Sequence, residues 1–283
     1  MIAPPLGQGI TDFHVHAFPD DLAARAMHRL QTEGSIRAFL DGRLSSLLAS
    51  MDQNGIERSV LCSIATRPGQ FEPILAWSQA IRSRRIIPLA SVHPADPEAL
   101  ARIDRIADAG LVGLKMHPFY QEFWLDEPRL LPLFQRISER RLLLVMHTGF
   151  DIAFPEERRA DPSRIRQLLD TVPELRLVAT HLGAWRQWPE VAELLVGRRI
   201  LMEISFALDL LPAAEARHLL LAHPAECLLF GTDSPWTDQG ATLALFRGLG
   251  LPPALEEQIL AGNAARLLDG QDGPPGGPAA VER

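Results

Sequence analysis

Short apolar runs recur along the chain at 10–16, 57–63, 86–92, 111–117, 142–147, 175–181, 199–205 and 226–232, each rich in Leu or β-branched residues. Between them, at 43–54, 97–109, 129–140, 162–171, 189–195 and 212–222, apolar residues return every three or four positions. The first pattern predicts strands and the second amphipathic helices. Several helical segments open beside a proline, where the missing N–H costs nothing. Gly55 and Gly110 stand where helices should end. Strands alternating with helices of this length build βαβ units and a parallel sheet. Eight such units in about 250 residues predict an α/β fold, a closed (β/α)8 TIM barrel. The competing doubly wound sheet would want a Gly-rich phosphate loop after its first strand, and here that strand ends in His14-Val15-His16.

Two stretches stand outside this rhythm. Residues 17–40 form an insertion after strand 1, with helical spacing over 22–30, and in a barrel it would lie over the mouth. Residues 270–283 are rich in Gly and Pro and predict a disordered C-terminal tail. The expected organisation is a single TIM-barrel domain over 1–269 followed by that tail.

Composition narrows the picture. The chain has 283 residues, 47% of them hydrophobic and 22% charged, values that suit a globular protein with a sizeable core. A net charge of −7 without a long basic run argues against nucleic acid as a partner. No run approaches the roughly 18 apolar residues of a membrane span. The first ten residues lack the basic and apolar segments of a secretory signal. Cys62 and Cys227 each sit in an apolar run and read as buried thiols, which suits a cytoplasmic location.

The chemistry gathers at strand ends. Residues two apart on a strand share a face, so Asp12, His14 and His16 should point one way while Phe13 and Val15 face the helices. His147, His181 and Asp233 are each the first strongly polar residue after an apolar run. All five site side chains therefore fall at the C-terminal mouth, where active sites of this fold assemble. Any one of them reads equally well as a loop-bonded strand end; four histidines and an aspartate on one rim do not.

The segments Asp12-Phe-His14-Val-His16-Ala-Phe-Pro19, Met146-His147-Thr-Gly149, Thr180-His181-Leu-Gly183, Phe230-Gly-Thr-Asp233-Ser-Pro235 and Gly262-Asn-Ala-Ala-Arg-Leu-Leu268 resemble the amidohydrolase superfamily. Within it, the similarity is to the amidohydrolase-related group that contains aminocarboxymuconate-semialdehyde decarboxylase. The resemblance implies that His14, His16, His147 and Asp233 bind a divalent metal, usually zinc, and that His181 is the acid/base histidine. Manganese, iron or cobalt would also suit such a donor set. Asp233 would share in proton handling.

Lys115 stays open between two readings: a carbamylated bridge between two metals, as in some superfamily members, or an ammonium gripping a substrate carboxylate. His117 and Trp236 are candidate substrate contacts, with His117 equally readable as a structural hydrogen-bonder. His93, His28, His218 and His223 read as structural, surface or cap residues. Glu203, in phase with Ser205, needs a partner if it points inward, and Asp12 reads as orienting His14 or His16. Trp185 and Trp188 read as packing a helix onto the barrel, and the aromatic loop 119–127 as a lid or an interface.

Three functions follow. The first is metal-dependent hydrolysis of a C–N or C–O bond in a small carboxylate, amide or lactone. The second is non-oxidative decarboxylation of a small unsaturated or aromatic acid at the same site. The third is a non-catalytic binding barrel. The expected partner is a small-molecule substrate, with no nucleic acid and no membrane, and a homodimer is compatible with the sequence.

Overall fold

The computed structural model describes residues 9–269, so the stretch 270–283, with its expected disorder, lies outside the described residues. In chain order the elements are β1 (Ile10–Val15), α1 (Asp20–Gly34), α2 (Leu44–Asn54), β2 (Ile56–Cys62), α3 (Phe71–Ile81), β3 (Ile86–Leu89), α4 (Ala99–Asp108), β4 (Gly113–Met116), α5 (Leu131–Glu139) and β5 (Leu143–Met146). They continue with α6 (Pro162–Thr171), β6 (Arg176–Ala179), α7 (Trp188–Leu194), β7 (Leu201–Glu203), α8 (Ala213–Ala222), β8 (Leu228–Leu229), α9 (Gln239–Gly248), α10 (Pro253–Glu257) and, after a π-helical turn at Gln258–Gly262, α11 (Asn263–Leu268).

All eight expected strands are present, and neighbours pair in parallel from β1 to β3 and from β4 to β8. Two narrow seams close the ring. Ala90 bridges Leu114, with Lys115 N donating to Ala90 O at 2.9 Å. Val15 bridges Ser234, with Phe13 N donating to Phe230 O at 2.8 Å. The result is the (β/α)8 TIM barrel that the alternation predicts.

The strands are shorter than the apolar runs, because the last residues of each run have already left the ladder. His117, His147, His181 and Asp233 lie just past β4, β5, β6 and β8, on the loops of the C-terminal mouth. The barrel is filled by Phe13, Val60, Cys62, Leu89, Leu143, Val145, Val178, Leu201 and Leu229, and Ala264 and Leu267 of α11 join the same cluster. A larger apolar layer joins the outward faces, among them Met116, Leu144, Met146, Leu177 and Met202, to the surrounding helices.

Strict alternation fails on β1. Its register against β2 shifts between Asp12 and Val15, and an extra residue of this kind turns side chains to the other face. Phe13 therefore joins the barrel filling instead of facing the helices. Asp12 leaves the face of the histidines: its Oδ2 accepts from Thr232 Oγ1 at 2.6 Å and from Gln239 Nε2 at 2.7 Å. The insertion does reach the mouth, since α1 lies within it and Phe39 N donates to Pro235 O at 2.8 Å, two residues beyond Asp233. Helices α3 and α9, outside the expected segments, complete the outer ring. No helix among the described residues is long and apolar enough to cross a membrane.

Candidate metal centre at the barrel mouth

Each site histidine has a ring nitrogen tied to a protein oxygen, and the chemistry of that tie fixes the role of the other nitrogen. His16 Nδ1 lies 2.7 Å from Cys62 O, and a carbonyl only accepts, so Nδ1 carries the hydrogen and Nε2 keeps its lone pair. His14 Nδ1 faces the Glu203 carboxylate at 3.0 Å, which likewise leaves Nε2 as the electron-pair donor. These two Nε2 atoms approach the same oxygen, Asp233 Oδ1, at 3.5 Å from His14 and 3.0 Å from His16.

Asp233 Oδ1 is buried and takes part in no hydrogen bond of good geometry. Two nitrogen lone pairs and a carboxylate oxygen face one another within 3.5 Å, and their repulsion is offset only from one side, by the Lys115 ammonium 3.1 Å from His14 Nε2. The separations suit ligands about 2.0–2.1 Å from one ion. The donor set therefore fits a divalent metal. His14, His16 and Asp233 form one compact group, all donor atoms within 4.8 Å of one another.

Burial, and then the Lys115 charge, keeps His14 neutral. Asp233 has φ +64°, in the left-handed region that a branched polar residue enters at a cost. Its N–H donates to His14 O at 2.7 Å and its carbonyl accepts from Trp236 N at 2.9 Å, which pins this backbone.

His181 follows β6 with φ +58°. Its Nδ1 faces Ser205 O at 3.0 Å, so its Nε2 is the unprotonated nitrogen and points at His147 Nδ1, 3.0 Å away. Trp188 Nε1 donates to the His181 carbonyl at 3.1 Å, and Trp185 Nε1 to Phe206 O at 3.2 Å, so both tryptophans pack and anchor as expected. Gly149, with φ +86°, brings the loop after β5 against the backbone of Trp185, where a Cβ would lie 2.1 Å from Trp185 N. Only glycine fits there, which accounts for the His147-Thr-Gly149 segment.

His147 gathers with His117 and Asp151. Its Nε2 donates to Phe150 O at 2.9 Å and its ring stacks on His117 at 4.1 Å. Asp151 Oδ2 lies 3.3 Å from His117 Nε2 and 3.6 Å from His147 Nε2. Burial keeps both of these imidazoles neutral. Phe119, Tyr120 and Phe154 close an aromatic wall around this second group.

Lys115, the only lysine in the chain, is 1% exposed and points inward, its Nζ 3.1 Å from His14 Nε2. Burial lowers its pKa. Its Nζ thus lies against the candidate donor group of His14, His16 and Asp233. Trp236 is half-buried beside Asp233. His93 Nδ1 accepts from Ala95 N in its own turn. His223, read as a surface or cap residue, caps the C-terminus of α8 but is buried, and it donates from Nε2 to Ile200 O at 2.8 Å.

Sequence reasoning did not find Asp151, which lies in a loop with no periodic signal. It found Glu203 without its partners, which are now plain: His14 Nδ1, His181 N and both donors of Ser205.

A metal-ready group at the mouth of a TIM barrel defines a class, and comparison with known proteins specifies it. The chain belongs to the amidohydrolase family, whose model matches residues 11–270. Members of this family are metal-dependent enzymes, decarboxylases and hydrolases among them. No curated protein matches the chain in sequence. Among solved structures it is similar to an uncharacterized TIM-barrel protein, Bb4693, from Bordetella bronchiseptica, at 24% identity and TM-score 0.77, covering 92% of this chain and 98% of that one. It is similar to a putative 2-pyrone-4,6-dicarboxylic acid hydrolase from Pseudomonas putida, at 20% identity and TM-score 0.65, covering 95% and 100%. It is also similar to a dihydroxybenzoic acid decarboxylase from Polaromonas sp. JS666 with bound manganese and the inhibitor 2-nitroresorcinol, at 14% identity and TM-score 0.69, covering 94% and 98%.

Proposed function

We propose that the chain is a divalent-metal-dependent hydrolase acting on a C–N or C–O bond of a small carboxylate, amide or lactone. His14, His16 and Asp233 would hold the metal, with His147 completing the set through Nδ1. The observation that carries this reading is the convergence of two imidazole lone pairs on the orphaned Asp233 Oδ1. When bound, a divalent cation supplies Lewis acidity and lowers the pKa of water from 15.7 to about 7. Zinc and manganese both suit three imidazoles and a carboxylate.

The remaining work falls to side chains. His181, with Nδ1–H committed to Ser205 O, offers Nε2 as an acceptor, so its first act is to take a proton. That order, base first and acid second, is the order hydrolysis needs: water loses a proton before the leaving group gains one. Asp233 would serve as the carboxylate ligand and share in proton handling. Lys115, beside His14, adjusts the charge of the donor group at its inner edge.

Decarboxylation is the second reading, and the aromatic wall of His117, Phe119, Tyr120 and Phe154 is what favours it, because it suits a planar unsaturated acid. A substrate panel of lactones, amides and aromatic acids, assayed with zinc- and manganese-loaded protein for both acid release and CO2 release, separates the two. Metal-dependent acid release without CO2 supports hydrolysis, and CO2 release transfers the site to decarboxylation. Turnover that survives chelation and Asp233→Asn would contradict both.

A further inference from the structure

Glu203 ends β7 with a carboxylate that is fully buried. Its Oε1 is saturated with donors. Oε1 faces His14 Nδ1 at 3.0 Å, His181 N at 3.1 Å and Ser205 Oγ at 2.8 Å. Oε2 accepts from Ser205 N at 2.7 Å. Oε1 so engaged has no direction left for a metal, although His14, His181 and Glu203 gather closely enough to form a donor group. Its reach is what distinguishes it. One oxygen touches the ring of a proposed metal ligand on β1 and the backbone of the proposed acid/base residue on the loop after β6.

The Phe230-Gly231-Thr-Asp233 segment is built around this carboxylate. A Cβ on residue 231 would lie 2.2 Å from Glu203 Oε2 and 3.3 Å from His14 Cβ. Glycine is therefore required at 231 for space rather than for backbone conformation. His181 holds φ +58°, and its N–H, which that conformation turns inward, finds its acceptor in Glu203 Oε1.

We infer that Glu203 is a positioning residue that sets the metal ligand His14 and the acid/base residue His181 from a single carboxylate, with Gly231 supplying the space. The inference rests on the metal reading given above. The Nδ1–H of His14 is held by a charged acceptor, which fixes the tautomer and keeps Nε2 aimed at Asp233. The same oxygen holds the His181 backbone, so displacing the carboxylate moves both groups at once. A carboxylate that merely balanced charge inside the barrel would not hold the His14 hydrogen on Nδ1.

The test is zinc affinity, measured by competition with a chelating dye, for wild type, Glu203→Gln, Gly231→Ala and Asp233→Asn. Glu203→Gln should bind zinc about 10–100-fold more weakly. Gly231→Ala, which keeps the carboxylate but displaces it, should weaken binding in the same direction. Zinc affinity within two-fold of wild type in both would overturn the inference. If neither variant folds, zinc-loaded wild type with 15N-labelled histidine decides: His14 must show a protonated Nδ1, and a bare Nδ1 would overturn it. Zinc binding untouched by Asp233→Asn is the separate outcome that removes the metal reading, and this inference with it.

Discussion

The two halves of the barrel mouth are made from the same residue types and arranged to opposite effect. On the side of β1 and β8, His14 and His16 present bare nitrogens to a carboxylate oxygen that lacks a hydrogen bond. On the side of β4 and β5, His117 and His147 are stacked nearly parallel, 16° apart, and both turn Nε2 toward Asp151. His147 Nε2 is a donor, because it meets the Phe150 carbonyl, and parallel rings cannot aim two lone pairs at one point. On the proposed reading the first half holds the cation, with His147 reaching it through Nδ1, and the second sets N–H groups around a counter-charge. Residue identity does not separate them; the partner of each second ring nitrogen does. His181 Nε2, 3.0 Å from His147 Nδ1, is the hinge between the halves.

The sharpest way to break this contrast is at the orphaned oxygen. Asp233→Asn should lower turnover roughly 10⁴-fold, the equivalent of several kcal/mol, and release the metal. An unchanged steady-state rate on any responsive substrate would contradict the assignment. Next in size is His181→Asn, for which kcat should fall about 10²–10³-fold while bound metal, measured by elemental analysis, stays within a few-fold of wild type. Loss of metal instead would make His181 a ligand rather than a proton carrier.

Asp151→Asn probes the second half. Chelator competition should show metal affinity within about three-fold of wild type, and denaturant unfolding a loss of about 1–2 kcal/mol from weakened charge-assisted bonds. A metal loss as large as that of Asp233→Asn would move the centre to β4 and β5.

The smallest effect is that of pH on the metal-free protein. Burial holds His14, His117, His147 and His223 neutral in the fold, with pKa values below the ordinary imidazole range. The unfolded chain takes up those protons near pH 6.5. Stability is therefore complete above about pH 6.5 and is lost as pH falls below it. Thermal scans should show a lower Tm at pH 5 than at pH 7. His223, which bonds Ile200 at the opposite end of the barrel, supplies a share independent of the mouth, so His223→Gln should flatten the dependence without touching metal binding.

Much of this was legible in the chain. Eight apolar runs were enough for eight strands, because a strand buried on both faces must be apolar nearly throughout. The polar residue that ends each run could be placed at the mouth, since parallel strands all finish at one end. What periodicity could not show was the irregularity between Asp12 and Val15, which depends on pairing with β2 and turns Phe13 and Asp12 to the faces opposite those expected. Nor could it sort His117 from His16, because both follow apolar strands and differ only in what their ring nitrogens meet. Asp151 lay in an irregular loop, and loops carry no period to read.

The central claim is that one half of the mouth holds the metal. Elemental analysis of chelator-stripped protein reloaded with zinc or manganese tests it directly, with His14→Ala/His16→Ala set beside His117→Ala/Asp151→Ala. The account predicts one ion per chain in wild type and in the second pair, and none in the first. An empty wild type, or an ion lost only from the second pair, would contradict it.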